Sequence, residues 1–387
     1  ANRQTDSEIS FEMPTRNNYL NKIENKKILD AYLEFMTKIS VLLGANETDA
    51  RTQMLDVIEF ETDLANITTP SEIRRSGEEL YNTMSIQELQ ELSPFINWLD
   101  YFNNVFRIVS RKITTKERVV VFPKEYLVKL NTLVKGYAET EKGKNTLNNY
   151  LIWQAVRSLS SYLSEDFSDA EDMTDSEGGE AMSNSEGGEA MTGSKGSKGQ
   201  RLYCAIHTDE AIGLATGAMF VRESFGEESK LEAEKMFENI RGAFKKNLQS
   251  LSWLDKETRD QAILKEDAIS ILIGYPDYIL NSQKLDKEYF ELDVKPNEYF
   301  QNNIEVGLFE MRKILKTLGE PVDRTDWSIH NLSAAILKFD FICFSAGILQ
   351  FPYSVKNPRS INYGSIGTMM AHELTHAFDD QGRGYDG

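Results

Sequence analysis

The sequence predicts a mainly α-helical protein with a small β component, and three observations carry that prediction. Apolar residues recur at three- and four-residue intervals through most of the chain. Strand-like runs are confined to residues 118–122 and to a stretch that begins near Ala335. The length, 387 residues, exceeds one ordinary domain, so two or three are expected.

Taken in order, Tyr19, Leu20, Ile23, Ile28, Leu29, Tyr32, Leu33, Phe35, Met36, Ile39 and Leu42 hold helical spacing until Gly44 stops the run. A second helix carries Met54, Val57, Ile58 and Leu64 and ends before the Thr-Thr-Pro turn at 68–70. Ser85 and Glu88 form a capping-box pair that opens another helix. The run 118–122 reads as a short strand closed by Pro123, and 147–163 reads as a long helix through Tyr150, Trp153 and Val156. Helices are expected again at about 209–223, 227–251, 256–270 and 297–318, with a turn at 274–277. From Ala335 the apolar run Ile336, Leu337, Phe339, Phe341, Ile342, Cys343 and Phe344 reads as one buried strand or a strand pair.

Hydrophobic (40%) and charged (27%) fractions are those of a folded globular protein. No run approaches the roughly 18 apolar residues that a membrane-spanning helix needs, and the opening residues lack a signal-peptide pattern. The net charge of −18 repels phosphate backbones, so no nucleic-acid partner is expected. More than half of that imbalance comes from ten acids between Glu165 and Met191, with no base among them. There the heptad Ser176-Glu-Gly-Gly-Glu-Ala-Met182 recurs as 185–191, followed by Gly, Ser and Lys to 199. Such a composition buries too little apolar surface to order itself, so 166–200 reads as a flexible acidic insertion. A calcium-binding acidic loop is the alternative, although the carboxylates miss the EF-hand spacing. Cys204 and Cys343 build neither a disulfide framework nor a zinc-finger spacing. Asn46, Asn66 and Asn331 each open a glycosylation sequon, which tilts the setting toward secretion.

One motif carries chemistry. Two of the four histidines stand in His372-Glu-Leu-Thr-His376. Residues four apart share a helix face, so both imidazoles reach one metal ion. Glu373 is then placed as a general base beside a water that Zn2+ makes nucleophilic near neutral pH. Met370, Leu374 and Ala377 take the opposite stripe and are expected to pack the helix on its domain. Asp379 and Asp380 follow one turn on, where a carboxylate reaches the far nitrogen of a ligand histidine. The plain alternative is a surface helix with two solvated histidines. His207 and His330 each stand alone and read as ordinary polar or core histidines.

The stretch from Asn362 to Arg383, with its Ala-His-Glu-Leu-Thr-His-Ala-Phe-Asp-Asp-Gln-Gly-Arg continuation, resembles the zinc helix of the neprilysin and endothelin-converting-enzyme family. Phe344-Ser-Ala-Gly-Ile-Leu-Gln350, Phe220-Val-Arg-Glu-Ser-Phe225, Ile273-Gly-Tyr-Pro-Asp-Tyr278 and Leu64-Ala-Asn-Ile-Thr68 extend the resemblance over nearly the whole chain outside the insertion. The resemblance implies a zinc metalloendopeptidase acting on short extracellular peptides, from a membrane-anchored ectodomain or a secreted form. It implies the start of a zincin-like (thermolysin-like) catalytic lobe beside a large helical lobe. Residues 1–277 would form the helical region and 278–387 the beginning of the catalytic region. By matching position His372 and His376 are the zinc ligands, Glu373 the base, and Asp379 their outer support.

Several departures from the family pattern set further expectations. The family takes its third zinc ligand from a downstream glutamate, and none follows His376 here. With that and the membrane anchor missing, the chain reads as a fragment, inactive by itself, whose Met370, Leu374 and Phe378 would lack downstream packing partners. The family's Asn-Ala-aromatic-Tyr edge strand has no counterpart between Trp327 and Ala346. Cys204 matches a family cysteine whose partner is missing, so a free thiol is expected. The missing features leave a second possibility, a catalytically inactive relative that binds peptides or proteins.

Overall fold

A computed structural model describes residues 13, 15–68, 82–121, 123–164, 166, 167, 169, 170, 197–321, 327, 335–338, 341–379 and 382–384. The chain divides into two compact units, residues 1–201 with 294–318, and residues 202–293 with 319–387. The division follows packing, and segment 294–318 returns to the first unit.

In the first unit, α1 (Arg16–Leu20), α2 (Lys26–Leu42) and α3 (Glu47–Ile67) follow the expected periodicity. Gly44 takes a φ of +100°, a left-handed conformation that glycine adopts without a Cβ penalty, and this ends the α2 run. Asn46 caps α3 by accepting from the backbone N–H groups of Thr48 and Asp49. Two short strands, β1 (Asn82–Ser85) and β2 (Arg118–Val121), pair antiparallel. Between them lie α4 (Ile86–Leu92) and α5 (Trp98–Phe106). The expected capping box opens α4: Ser85 N–H donates to Glu88 Oε2 at 2.6 Å, and Glu88 N–H donates to Ser85 Oγ at 3.1 Å. Next come α6 (Lys124–Ala138) and α7 (Glu141–Ser160). The core here joins Tyr32, Phe35, Met36 and Ile39 of α2 to Val57 and Ile58 of α3 and Trp153 of α7. Phe167 and Ala170 are buried in the same core, so the acidic insertion begins later than residue 166. Residues 171–196, including both repeats, lie outside the described residues.

In chain order α8 (Ser197–Ser224), α9 (Glu227–Ser250) and α10 (Lys256–Ala268) follow. Helix α8 thus starts inside the stretch expected to be insertion, a second correction to its bounds. It breaks at Ile212, and the amide freed at Leu214 donates to the Tyr289 hydroxyl at 3.0 Å. The second unit is built on a three-stranded sheet of order β3-β5-β4. Strand β3 (Ser270–Gly274) lies between the expected helix end at residue 270 and the expected turn at 274, in residues to which the sequence assigned no element. An apolar run of three residues, Ile271 to Ile273, cannot be assigned to strand or helix by period alone. Short helix α11 (Ser282–Glu288) and, in the first unit, α12 (Tyr299–Lys316) come next. Strand β4 (Ala335–Lys338) pairs antiparallel with β5 (Phe341–Ser345), the second of the two readings that the apolar run allowed. Strand β5 pairs in parallel with β3, Leu272 facing Cys343. Helices α13 (Arg359–Gly364) and α14 (Ile366–His376) complete the unit.

Candidate metal centre

Helix α14 carries the His-Glu-x-x-His motif and is mounted by its apolar stripe. Ile366, Met370, Leu374 and Ala377 are each at most 4% exposed and join a core with Phe237 of α9 and Ile342 and Phe344 of β5. The helix packs on α9, β4 and β5. Phe378, just past its end, packs against Phe244 of α9 with tilted rings whose centroids are 5.0 Å apart. The expected loss of packing partners for Met370, Leu374 and Phe378 is therefore corrected, because α9 and the sheet bury that face from within the chain. Its entry is pinned by Asn362, which accepts from Ser354 N–H at 3.3 Å and donates to the Ser354 carbonyl at 2.8 Å.

The opposite face is open. His372 is exposed, Glu373 half-buried, and the His376 side chain 41% exposed. The imidazole rings of His372 and His376 have centroids 4.4 Å apart, and their Nε2 atoms converge to 2.9 Å. On its far side, His376 Nδ1 lies 2.7 Å from Asp379 Oδ2. An ionised carboxylate only accepts, so Nδ1 carries the hydrogen and Nε2 keeps its lone pair toward His372. The second oxygen of Asp379, Oδ1, accepts the backbone N–H of Gly382 at 2.7 Å. One carboxylate therefore sets the tautomer of a histidine and closes the turn behind it.

Zn2+ takes nitrogen ligands and is held by residues whose other ring nitrogen is tied to a carboxylate. Two converging Nε2 atoms, one with its tautomer set by Asp379, fit two positions of such an ion. Among the described residues no third His, Cys, Asp or Glu joins them in a metal-holding group. Asp380 lies outside the described residues, and the Arg383 N–H donates to the Asp379 carbonyl at 3.1 Å.

The remaining sequence candidates stand elsewhere. His207 on α8 packs against the Tyr203 ring with centroids 4.1 Å apart, and its Nδ1 lies 3.3 Å from Glu210. His330 and Asn331 fall outside the described residues. Asn46 and Asn66 are exposed at the start and near the end of α3. Cys204 is an exposed free thiol; Cys343, buried in β5, has its thiol pushed up to about 12 by burial and serves as a small apolar residue. Between Trp327 and Ala346, where the family's edge motif was not found, the chain nevertheless forms β4 at the end of the sheet order. What sequence reasoning missed is Gly382, whose part depends on a fold-back that no local pattern announces.

Residues 4–276 and 337–387 match the two parts described as Peptidase family M13. The chain is 49% identical to an endothelin-converting enzyme homolog of Locusta migratoria over 97% of its own length and 50% of the relative's. It is 48% identical to Neprilysin-3 of Drosophila melanogaster, covering 97% of the chain and 47% of the relative. Endothelin-converting enzyme 1 of Homo sapiens is 39% identical over 97% of the chain and 47% of that protein. Among solved structures, PepO from Lactobacillus rhamnosis superposes with a TM-score of 0.78 at 21% identity, over 97% of this chain and 56% of that one. Zinc metalloprotease Zmp1 of Mycobacterium tuberculosis in complex with an inhibitor gives 0.74 at 22% identity, over 96% and 53%. The chain thus spans about half the length of the curated relatives it matches.

Proposed function

The chain belongs to peptidase family M13, and from that premise we propose that it carries two zinc ligands and the general base of a metalloendopeptidase acting on short extracellular peptides. The observation that supports this most is the pair of converging Nε2 atoms, 2.9 Å apart, with His376 oriented from behind by Asp379. His372 and His376 would hold Zn2+. When bound, the ion lowers the pKa of water to near 7 and polarises a carbonyl oxygen. The chain's own residues then divide the work. Asp379 keeps the proton on Nδ1 of His376, so Nε2 stays a ligand. Glu373, beside His372 on the open face, takes the proton from the attacking water and passes it to the departing amine. A catalytic zinc centre takes three protein ligands, so the third donor lies outside the described residues in this proposal.

Residues 278–387 would be the beginning of the catalytic region and 1–277 the helical region. No described helix is long and apolar enough to cross a membrane. An extracellular, membrane-anchored or secreted setting is part of the proposal, and exposed Asn46 and Asn66 suit it as glycan acceptors. Asn46 caps α3 through Oδ1 alone, so a sugar on Nδ2 would leave the cap intact.

The test is Glu373→Gln in the whole protein, with zinc content and hydrolysis of a quenched fluorescent peptide measured together. Zinc retained with hydrolysis lost is the expected result, and undiminished hydrolysis would remove Glu373 from the role of base. The second reading, a relative that binds peptides without cleaving them, is favoured by one feature, an edge strand β4 made of Ala335-Ile-Leu-Lys338 in place of the Asn-Ala run. Peptide binding without turnover in the unmodified protein would establish it.

A further inference from the structure

The turn behind the second histidine is held from outside its own helix. Lys265, on the last turn of α10 and half-buried, donates through Nζ to the Gly382 carbonyl at 2.6 Å. The same ammonium sits 5.7 Å from the centroid of the Phe378 ring, which packs on Phe244 of α9. Gly382 is buried and bonded at both of its backbone groups: its carbonyl accepts from Lys265, and its N–H donates to Asp379 Oδ1 at 2.7 Å. The other oxygen of Asp379 holds His376 Nδ1 at 2.7 Å. A continuous line of hydrogen bonds therefore runs from Lys265 through Gly382 and Asp379 to His376.

Gly382 has an independent steric reason to be glycine. A Cβ there would lie 2.1 Å from the His376 carbonyl oxygen and 2.6 Å from the carbonyl carbon of Ala377. Both are backbone atoms at the end of α14, and they cannot step aside without moving the histidine itself. The fold-back is thus tight enough to transmit a displacement of Gly382 to His376.

We propose that Lys265 and Gly382 are positioning residues that fix the orientation and tautomer of His376 through Asp379. The proposal rests on the zinc-ligand assignment above for its purpose, but the orientation of His376 is measurable without metal. A mobile Asp379 would leave His376 free to rotate and to exchange its proton between the two ring nitrogens. A fixed one presents Nε2 with its lone pair before any ion arrives.

The experiment uses the 387-residue chain with 15N-labelled histidine. Two-bond proton–nitrogen spectra report the His376 tautomer, the signal being identified by its loss in His376→Gln. Titration with Co2+, followed by its visible absorption and by displacement with Zn2+, reports affinity. The unmodified chain is expected to show a single Nδ1–H tautomer. Lys265→Met keeps the stem on Phe378 and removes the donor; it is expected to give mixed tautomers and metal binding weakened about tenfold, the lower end for outer partners of a ligand. Lys265→Arg should restore both, Gly382→Ala should exceed Lys265→Met, and Phe244→Leu should leave the tautomer unchanged. If Lys265→Met fails to fold, Lys265→Gln is read in the same way. A single Nδ1–H tautomer and unchanged affinity in a folded Lys265 variant would overturn the proposal while leaving the zinc assignment standing. Tautomer exchange in Lys265→Met, in a chain that takes up no metal, would uphold the positioning role by itself, and the zinc content of the whole protein would then decide the ligand assignment.

Discussion

Glu61 in the first unit and Glu266 in the second are both sealed from solvent, at 2% and 0% exposure, yet their surroundings are opposite. Glu61 of α3 meets no cation among the described residues. It accepts from the Tyr32 hydroxyl at 3.2 Å and from Gln154 at 3.4 Å, and Tyr32 in turn accepts from the Trp153 indole at 2.9 Å. Tyr19 and Tyr150 also face it, from α1 and α7. Burial pushes its carboxyl up to about 8, so the neutral acid is the form the core accommodates. Glu266 of α10 instead faces two cations of α9: Arg241 bonds one oxygen and Lys245 lies 2.7 Å from the other. Arg241 also donates to the Glu266 carbonyl at 2.6 Å. The second unit thus locks α10 to α9 with charge, directly beside Lys265 and the turn behind His376. The two units use their buried carboxyls in opposite ways. A neutral cluster gathers its hydrogen bonds on one oxygen of Glu61 inside a helical core, whereas an ionic clamp fixes two helices in the unit that holds the candidate metal centre.

The largest effect is expected at Glu266. Glu266→Ala leaves Arg241 and Lys245 facing a buried gap, and a loss of about 3 kcal/mol or more is expected from removing one partner of a buried ionic cluster. Guanidinium denaturation of the whole chain measures it, and a change under 1 kcal/mol would show that the clamp is dispensable. At Glu61 the sign is reversed with pH. The folded carboxyl holds its proton up to about pH 8, whereas the unfolded one releases it near its ordinary value of 4.5. Stability from this group is therefore complete below about 4.5, falls as pH rises, and levels off above about 8. Across that window the loss is on the order of a few kcal/mol. Glu61→Gln keeps a neutral hydrogen-bonding group and is expected to flatten this slope; equal slopes in the two proteins would refute the neutral-acid assignment.

A smaller effect is expected at the centre itself. Asp379→Asn can present its amide to His376 Nδ1 and so favour the wrong tautomer. Metal affinity should fall about 10- to 100-fold, with little change in the unfolding midpoint. Isothermal titration with Zn2+ checks the first and thermal unfolding the second; a large stability loss with unchanged affinity would make Asp379 a structural turn residue only. The smallest effect belongs to a local signal. Ser85→Ala removes the cap of α4 and should cost about 1 kcal/mol, independent of pH across the range in which Glu61 titrates.

The capping box at Ser85 and Glu88 was legible because both partners lie within four residues, and the stop at Gly44 because glycine tolerates the left-handed conformation there. The period of α2 and α3 was equally plain. Strand β3 was not legible, since Ser270-Ile-Leu-Ile-Gly274 becomes a strand only through its pairing with β5, some seventy residues on. The edge strand β4 formed although its sequence lacks the family's edge motif, because backbone pairing with β5 does not require those side chains.

For the candidate centre, the sequence by itself determined the spacing of His372 and His376 and the apolar stripe of Met370, Leu374 and Ala377. A helix of 3.6 residues per turn leaves no other arrangement of those faces. The tertiary structure decided how His376 is held. Its orientation depends on Asp379, on a glycine whose missing Cβ lets the chain fold back, and on a lysine 117 residues earlier in the chain. It likewise decided that one buried glutamate is neutral and the other clamped. Burial and the identity of facing groups set those states, and both arise only when distant helices pack.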